Sequence, residues 1–398
     1  MNAYNAYSDF LNNIKKCIDE FNKIENKVLI VHHDEADGIC SAAIIKKALE
    51  RKGFFIKTLC LDKLFPEVIE KLHSEKDKNI IYTDIGSAHV KRISNVNKSK
   101  NFTIILDHHD TEISLDPKVY NINPELYGIS GEKEASASTI AYFFAKILDK
   151  TNMDLAHLAI IGSAEIPETL IGLNEKALKD ALEKKLVEIK KSKFREEIKI
   201  TSLGKAISYK RISTLLSVLG SVGYYRNGPE IGISICLEGL KPDLEKIALN
   251  LENERKLANK RLLTELMNKG LNQLNNVQWF HAMDNFKGMG TKVIGSFCSY
   301  LSFQRIVNPN KYLIGIMNMD STIPKFGKLD KEYVKVSARA PEALSKMIEI
   351  GKMPPLSKIL PKACEDHGGF GDGHTVAASG IFLKGKEESF LTKLDKLI

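Results

Sequence analysis

The sequence is short of paired cysteines, of long apolar runs and of any strong excess of one charge, and each shortage removes a class of protein. Its six cysteines, at 17, 40, 60, 236, 298 and 364, lie far apart with no Cys-x-x-Cys pair, which argues against a disulfide framework and against a thiolate zinc site. A reducing cytoplasm is expected. No run of about eighteen uninterrupted apolar residues occurs, so no membrane span is expected. The first residues, Met-Asn-Ala-Tyr-Asn-Ala-Tyr, lack the basic and apolar regions of a signal peptide. Charge balances at 58 basic against 50 acidic residues, a net +8. So mild an excess permits a polyanionic partner without requiring one, since Lys- and Glu-rich surfaces also mark heat-adapted proteins. No fixed-period repeat is visible. Histidine is scarce too, with ten in 398 residues, yet six of them form three short clusters, at 32 and 33, at 108 and 109, and at 367 and 374.

What is present has a globular balance, 43% hydrophobic and 27% charged, and the length leaves room for two or three domains. Residues 27–31, 54–61, 79–83 and 102–106 read as short strands covered on both faces, with helical patterns at 39–51 and 64–75 between them. That alternation predicts a parallel sheet with crossover helices. Helical spacing follows at 135–148 and 153–161, and a Lys/Glu-rich amphipathic stretch at 174–200 reads as a solvated helix face. A long helical pattern at 241–274 suggests a connector, strands resume at 312–317 and 333–338, and the chain closes on a Gly-rich segment at 368–380.

Three of the four expected strands run into acids and imidazoles: His32-His33-Asp34-Glu35-Ala36-Asp37-Gly38, Asp84-Ile85-Gly86-Ser87, and Asp107-His108-His109-Asp110. In an open parallel sheet the loops beyond the strand carboxyl ends meet at one place. A mixture of carboxylates and imidazoles without thiolates suits Mn²⁺, Mg²⁺ or Zn²⁺ rather than a structural zinc. Carboxylates held this close repel by on the order of several kcal/mol unless cations lie between them. Two ions would bridge a phosphate and lower the pKa of a bound water, so the pattern points to phosphoester or phosphoanhydride hydrolysis. Helix capping alone would account for Asp37 and Asp84 but not for paired histidines behind two strands. Downstream, the glycines of 368–380 would let backbone N–H groups approach an anion, with the small residues after His374 opening a helix. Ser337-Ala338-Arg339 adds a guanidinium able to hold a phosphate bidentately.

Asp107-His108-His109 resembles the signature of the DHH phosphoesterases, and Gly373-His374 followed by Ala377, Ala378 and Gly380 resembles the GGH motif of the DHHA1 subfamily. With the HxDxDG-like stretch at 33–38, the order is similar to RecJ-type single-strand exonucleases, particularly the archaeal RecJ-like proteins. Asn123-Pro124, the segment 219–225 and the segment 290–301 agree with that subgroup. The resemblance implies an α/β fold in which a parallel-sheet DHH domain with crossover helices (1–240) is joined by a long helix (241–275) to a smaller α/β DHHA1 domain (276–398). It implies two Mn²⁺ ions, with Mg²⁺ or Co²⁺ as substitutes. His33 and Glu35 would bind the first, Asp37 and His108 the second, and Asp84 both. His109 would face the scissile phosphate and Asp107 would orient its neighbours, while Ser337, Arg339, Gly373 and His374 would hold the substrate. Two positions depart from the pattern. Glu35 stands where the family has Asp, with Asp34 a second candidate for that ligand. In Gly162-Ser163-Ala164-Glu165-Ile166, Ile166 stands where the fourth-motif Asp belongs, leaving Glu165, or else Glu168, to supply the carboxylate.

The function this implies is a metal-dependent exonuclease for single-stranded DNA or RNA, acting in DNA replication and repair or in RNA degradation. The same domains also serve phosphodiesterases of short oligoribonucleotides or linear dinucleotides. A weakened DHH protein serving as a binding partner of replication or repair components, of GINS or helicase type, is the reading of a different class.

Overall fold

Five short strands form one parallel sheet, in which the central strands are buried on both faces. The computed structural model describes residues 3–166, 169–191 and 196–398. The chain divides into two compact units, Met1–Leu249 and Asn250–Ile398. The first unit opens with α1 (Ala3–Phe21), then alternates β1 (Lys27–His33), α2 (Ala36–Arg51), β2 (Phe55–Leu61), α3 (Pro66–Leu72), β3 (Asn79–Thr83), α4 (Val90–Asn97), β4 (Phe102–Leu106) and β5 (Val119–Ile122). Strand order is β2-β1-β3-β4-β5, with every neighbouring pair parallel. All five residues of β3 are buried, which explains a strand that reads as a continuous apolar run. The order reverses direction between β1 and β3, so a crevice opens where the carboxyl ends of these two strands part.

Helix α2 is the centre of the unit. Twelve of its residues, from Ala36 to Leu49, are buried. It packs against α5 (Ala137–Leu148), α6 (Ala156–Gly162), α8 (Tyr209–Ser221) and α9 (Gly228–Glu238). Each fully buried Ile or Leu on it contributes roughly 1.5–3 kcal/mol. Ser136 caps α5 by accepting from Thr139 N.

The stretch expected as one helix at 174–200 is instead α7 (Gly172–Glu183) followed by a hairpin of β6 (Val187–Lys191) and β7 (Glu196–Ile200), paired onward to β8 (Ile207–Ser208). Lys185 turns the chain with φ 57°, and beyond it Val187 and Ile189 alternate with Glu188 and Lys190, a period of two that outweighs the Lys/Glu composition. The 3-10 turn Lys150–Leu155 replaces the start of the helix expected from 153.

The boundary between the units falls inside α10 (Pro242–Lys269). In the second unit a six-stranded sheet has the order β15-β16-β14-β11-β10-β9. Its strands are β9 (Asn272–Gln273), β10 (Val277–His281), β11 (Tyr312–Asn318), β14 (Tyr333–Arg339), β15 (Phe370–Gly373) and β16 (Ala377–Leu383), and β12 (Thr322–Ile323) and β13 (Gly327–Lys328) form a separate hairpin. Helix α11 (Lys292–Leu301) joins β10 to β11, which run parallel. Helices α12 (Glu342–Glu349), α13 (Leu356–Glu365) and α14 (Glu387–Lys396) pack on Ile314, Val336, Phe382 and their neighbours. The helix expected after His374 is strand β16. Its Ala378, Gly380, Ile381 and Phe382 are buried and pair with β14, so the small residues serve close strand pairing instead. Strands β5 and β10 and helices α1, α8 and α9 were not among the sequence expectations.

Helix α8 meets the loop after β1 at Gly220, where an added Cβ would lie 1.6 Å from the Asp34 carbonyl oxygen. Alanine is worth about 1 kcal/mol more than glycine inside a helix. Overpacking of this kind costs about 1–3 kcal/mol and should win, so Gly220→Ala is expected to lower the urea midpoint. An unchanged or raised midpoint would contradict this packing.

Candidate metal centre

The loops after β1, β3 and β4 bring most of the expected ligands to the crevice. Asp84 follows β3 in the left-handed region, φ 60°, a conformation Asp tolerates better than most side chains and that tends to mark functional sites. Its backbone N–H donates to the Leu106 carbonyl, 3.0 Å, which ties the loop to the end of β4. Its two oxygens face different imidazoles. Oδ2 is 3.3 Å from His33 Nδ1, and Oδ1 is 3.5 Å from His108 Nε2. Beyond His33 lie Glu35 Oε2, 3.8 Å from Nδ1, and Asp34 Oδ1, 3.4 Å from Nε2. Beyond His108 lies Asp37 Oδ2, 3.8 Å from Nε2.

Asp37 and Asp84 are both buried. Burial pushes the Asp37 carboxyl up, and the nearby Asp84 charge pushes it further, against the pull of His108 and Ser138. Its oxygens accept from the Ala137 and Ser138 N–H groups at the start of α5, 2.8 Å each, where the helix dipole favours an anion. For Asp84, burial is outweighed by hydrogen bonds with His108 and His33, which hold it well below the usual carboxylate range. Burial would lower His108, but its hydrogen bond to Asp84 and the charges of Asp37, Asp84 and Asp107 raise it to about 10. The proton that this raised pKa leaves on His108 offsets the crowded anions. A divalent cation would do so more strongly, and the oxygen and nitrogen donor set suits Mn²⁺ or Mg²⁺.

Asp107 is buried and its oxygens are occupied. Oδ2 accepts from Ser87 N at 2.9 Å, and Oδ1 from His108 N at 2.8 Å and from His109 Nδ1 at 2.6 Å. Burial raises the Asp107 carboxyl, but the charge and hydrogen bond of His109 bring it down to about 2. His109 is raised in turn, burial being outweighed by Asp107, and its ring is 49% exposed, open to an incoming ligand. Ligand atoms of Asp84, Asp107, His108 and His109 all lie within 4.8 Å of one another.

Of the expected ligands that close group leaves out His33, Glu35, Asp37 and Glu165, and Glu165 is exposed and accepts from Ser217 Oγ at 3.3 Å. Ser217 Oγ also accepts from Ala36 N, 3.3 Å, so Glu165 stands near the start of α2. A Cβ on Gly162 would lie 2.5 Å from Asp37 Oδ1, so the 162–166 stretch passes beside Asp37, with the apolar Ile166 buried. Glu168 lies outside the described residues. His32 is buried, its Nδ1 donating to the His33 carbonyl at 2.8 Å.

In the second unit Ser337 and Arg339 lie on one face of β14, paired with Ser379 and Ala377 of β16. Gly373, with φ 150°, ends β15 and the exposed His374 begins the turn to β16. The Arg339 guanidinium donates to Ser299 Oγ (2.9 Å), Ser337 Oγ (3.0 Å), and the Ala338 and Gly295 carbonyls (2.8 and 3.1 Å). A bidentate phosphate grip therefore requires some of these bonds to open. His367 donates from Nδ1 to the Ala363 carbonyl at 2.7 Å and packs on Phe382 and Phe390, a core position. Sequence reasoning did not single out Glu125 or Gly131 beside the centre, because the Glu125 carboxylate that accepts from Gly131 N and the Gly131 carbonyl that meets His108 come together only in three dimensions. The neighbouring Asn123-Pro124 entered the sequence reading only as a point of agreement with the resembled subgroup.

Residues 27–163 match the model of the DHH family, N-terminal domain, so this stretch of the first unit is a DHH domain. An uncharacterized protein of Methanocaldococcus jannaschii is 28% identical over 441 residues, covering 93% of this chain and 92% of that one. RecJ of Thermus thermophilus in complex with Mn²⁺ superposes with a TM-score of 0.65 at 14% identity, covering 97% of this chain. The chain spans about half, 54%, of that RecJ's length. Cdc45 of Entamoeba histolytica gives a TM-score of 0.56 at 11% identity, covering 98% of each chain. At these identities the likeness is one of fold, and the fold is that of RecJ.

A metal ion at His108 Nε2 must displace the proton that keeps this imidazole charged up to about pH 10. Uptake should release a proton, and apparent Mn²⁺ affinity should rise with pH by about tenfold per unit below that value. Calorimetry in buffers of different ionisation enthalpy checks this. Affinity independent of pH would contradict ligation by His108.

Proposed function

We propose that this protein is a divalent-metal-dependent exonuclease that hydrolyses phosphodiester bonds of single-stranded DNA or RNA. The observation that carries the reading is the placing of Asp84 between two imidazoles, each backed by a further carboxylate: His33 with Glu35 on one side, and His108 with Asp37 on the other. That arrangement suits two Mn²⁺ ions, with Mg²⁺ or Co²⁺ as substitutes. Bound there, such ions would neutralise a phosphate and acidify a water. The likeness to RecJ, described as an exonuclease bound to manganese in a further solved structure, supports the same class.

The chain's own residues supply the rest. Asp107 fixes His109 through Nδ1, and its charge favours the protonated imidazole, whose Nε2 would offer a proton to an oxygen of the scissile phosphate. Asp107 receives backbone N–H groups from both sides, so it orients the segment. The carboxylate set is short of the family's fourth-motif Asp, and Glu165 is proposed to complete it from its place beside α2. Ser337, Arg339, Gly373 and His374 are proposed to hold phosphate groups of the strand, and the bases of a single strand are free to stack. Action in the cytoplasm, on replication, repair or RNA-degradation intermediates, fits this reading. No helix among the described residues is long and apolar enough to cross a membrane.

A second reading is favoured by two observations: Ile166 is buried where the family pattern places an acid, and the fold is shared with Cdc45. On that reading the chain is a weakened DHH protein that binds replication components. Metal content separates the two, with about two tightly held Mn²⁺ per chain expected for the hydrolase and fewer than about one for the binding partner.

Purified protein in Mn²⁺ is expected to shorten an end-labelled single strand. Chelation by EDTA, Asp84→Asn or His108→Ala should each abolish this. A substrate series from two to twenty nucleotides distinguishes a strand exonuclease from a short-oligonucleotide phosphodiesterase. Wild-type inactivity on DNA, RNA and short oligonucleotides in Mn²⁺, Mg²⁺ and Co²⁺ would overturn the hydrolase reading.

A further inference from the structure

One short turn reaches both histidines of the Asp107-His108-His109 segment. Strand β5 ends at Ile122, and the chain then makes a 3-10 turn, Pro124–Tyr127, capped by Asn123. Pro124 fixes the backbone at the first position of that turn. Asn123 is fully buried. Its Nδ2 donates to the His109 carbonyl and to Ser87 Oγ, 2.8 Å each, and its Oδ1 accepts from Glu125 N at 2.9 Å. Both donors and the acceptor of this amide are thus used. Ser87 N in turn donates to Asp107 Oδ2, so Asn123 ties the loop that carries Asp84 to the segment that carries His109.

Two residues on, Glu125 Oε1 accepts from Gly131 N at 2.6 Å, and the Gly131 carbonyl lies 2.7 Å from His108 Nδ1. A Cβ on Gly131 would stand 1.9 Å from the His108 carbonyl oxygen, so only glycine lets the two backbones approach this closely. A carbonyl can only accept, so Nδ1 keeps its hydrogen and Nε2 is the nitrogen that faces Asp37 and Asp84. Fixing the second ring nitrogen in this way is how proteins aim a metal-binding imidazole.

We propose that Asn123 and Glu125 are positioning residues, Asn123 for His109 through its carbonyl and Glu125 for His108 through Gly131, a proposal that rests on the metal-dependent hydrolase reading. A purely structural role predicts otherwise for Glu125. Its side chain is on the surface, where a single charged contact contributes little to stability, so its loss should leave folding intact while loosening the aim of His108.

The test is Mn²⁺ titration and steady-state kinetics on the full chain. Glu125→Ala is expected to weaken Mn²⁺ binding by about 10–100-fold with an unchanged melting temperature, and Glu125→Gln, whose amide oxygen accepts the same N–H, to stay within about threefold of wild type. Asn123→Asp keeps the acceptor and the shape but cannot donate to the His109 carbonyl. It is expected to lower kcat by about 10–100-fold with KM and Mn²⁺ affinity near wild type. Asn123→Ser, which leaves space rather than a buried carboxylate, should lose turnover equally. Wild-type Mn²⁺ affinity in Glu125→Ala, or equal weakening in Glu125→Ala and Glu125→Gln, would overturn the role of Glu125. Wild-type kcat in both Asn123 variants would overturn that of Asn123. Should wild type bind Mn²⁺ but hydrolyse nothing, the hydrolase reading falls, while the Mn²⁺ titrations still decide the role of Glu125.

Discussion

The carboxylate of Asp84 lies between two imidazoles, and much of the first unit is arranged around keeping it there. Two buried carboxylates near each other are unstable as bare anions, and Asp37 and Asp84 are such a pair. The fold balances them with the raised His108 imidazole and with the N–H groups at the start of α5, and holds the Asp84 backbone in the left-handed region. Each device carries a cost in strain or desolvation of order 1–3 kcal/mol. A structure that only needed stability would place apolar side chains at the crevice instead. The concentration of such costs at the β1/β3 switch point is the physical reason to regard it as a working site.

The sheet and the acidic and imidazole clusters were legible because both depend on local pattern. Strands β3 and β4 follow from unbroken apolar runs, and the loops after β1, β3 and β4 from the residues that interrupt those runs. Topology then predicts that the loops converge. What was not legible depends on contacts distant in sequence. The hairpin of β6 and β7 looks helical by composition, and only its two-residue alternation distinguishes it. Strand β16 looks like a helix start because Ala and Ser suit either state until β14 pairs with it. Gly131 reads as an ordinary loop glycine, and its closeness to His108 emerges only in three dimensions.

The second unit shows how residue type alone can overstate a role. Arg339 stands where a phosphate-binding guanidinium was expected, yet its donors are turned to Ser299, Ser337 and two backbone carbonyls. Burial lowers its pKa from the ordinary arginine value, in keeping with a side chain drawn into the protein. Any grip on a phosphate must compete with those bonds.

The central claim is that Asp84 serves two metal positions, one with His33 and Glu35 and the other with His108 and Asp37. Anomalous diffraction at the manganese edge, from crystals grown in Mn²⁺, tests it most directly. The account predicts two peaks, one on each side of the Asp84 carboxylate and roughly 3.5–4 Å apart. A single peak among Asp84, Asp107, His108 and His109, or no peak at all, would contradict it.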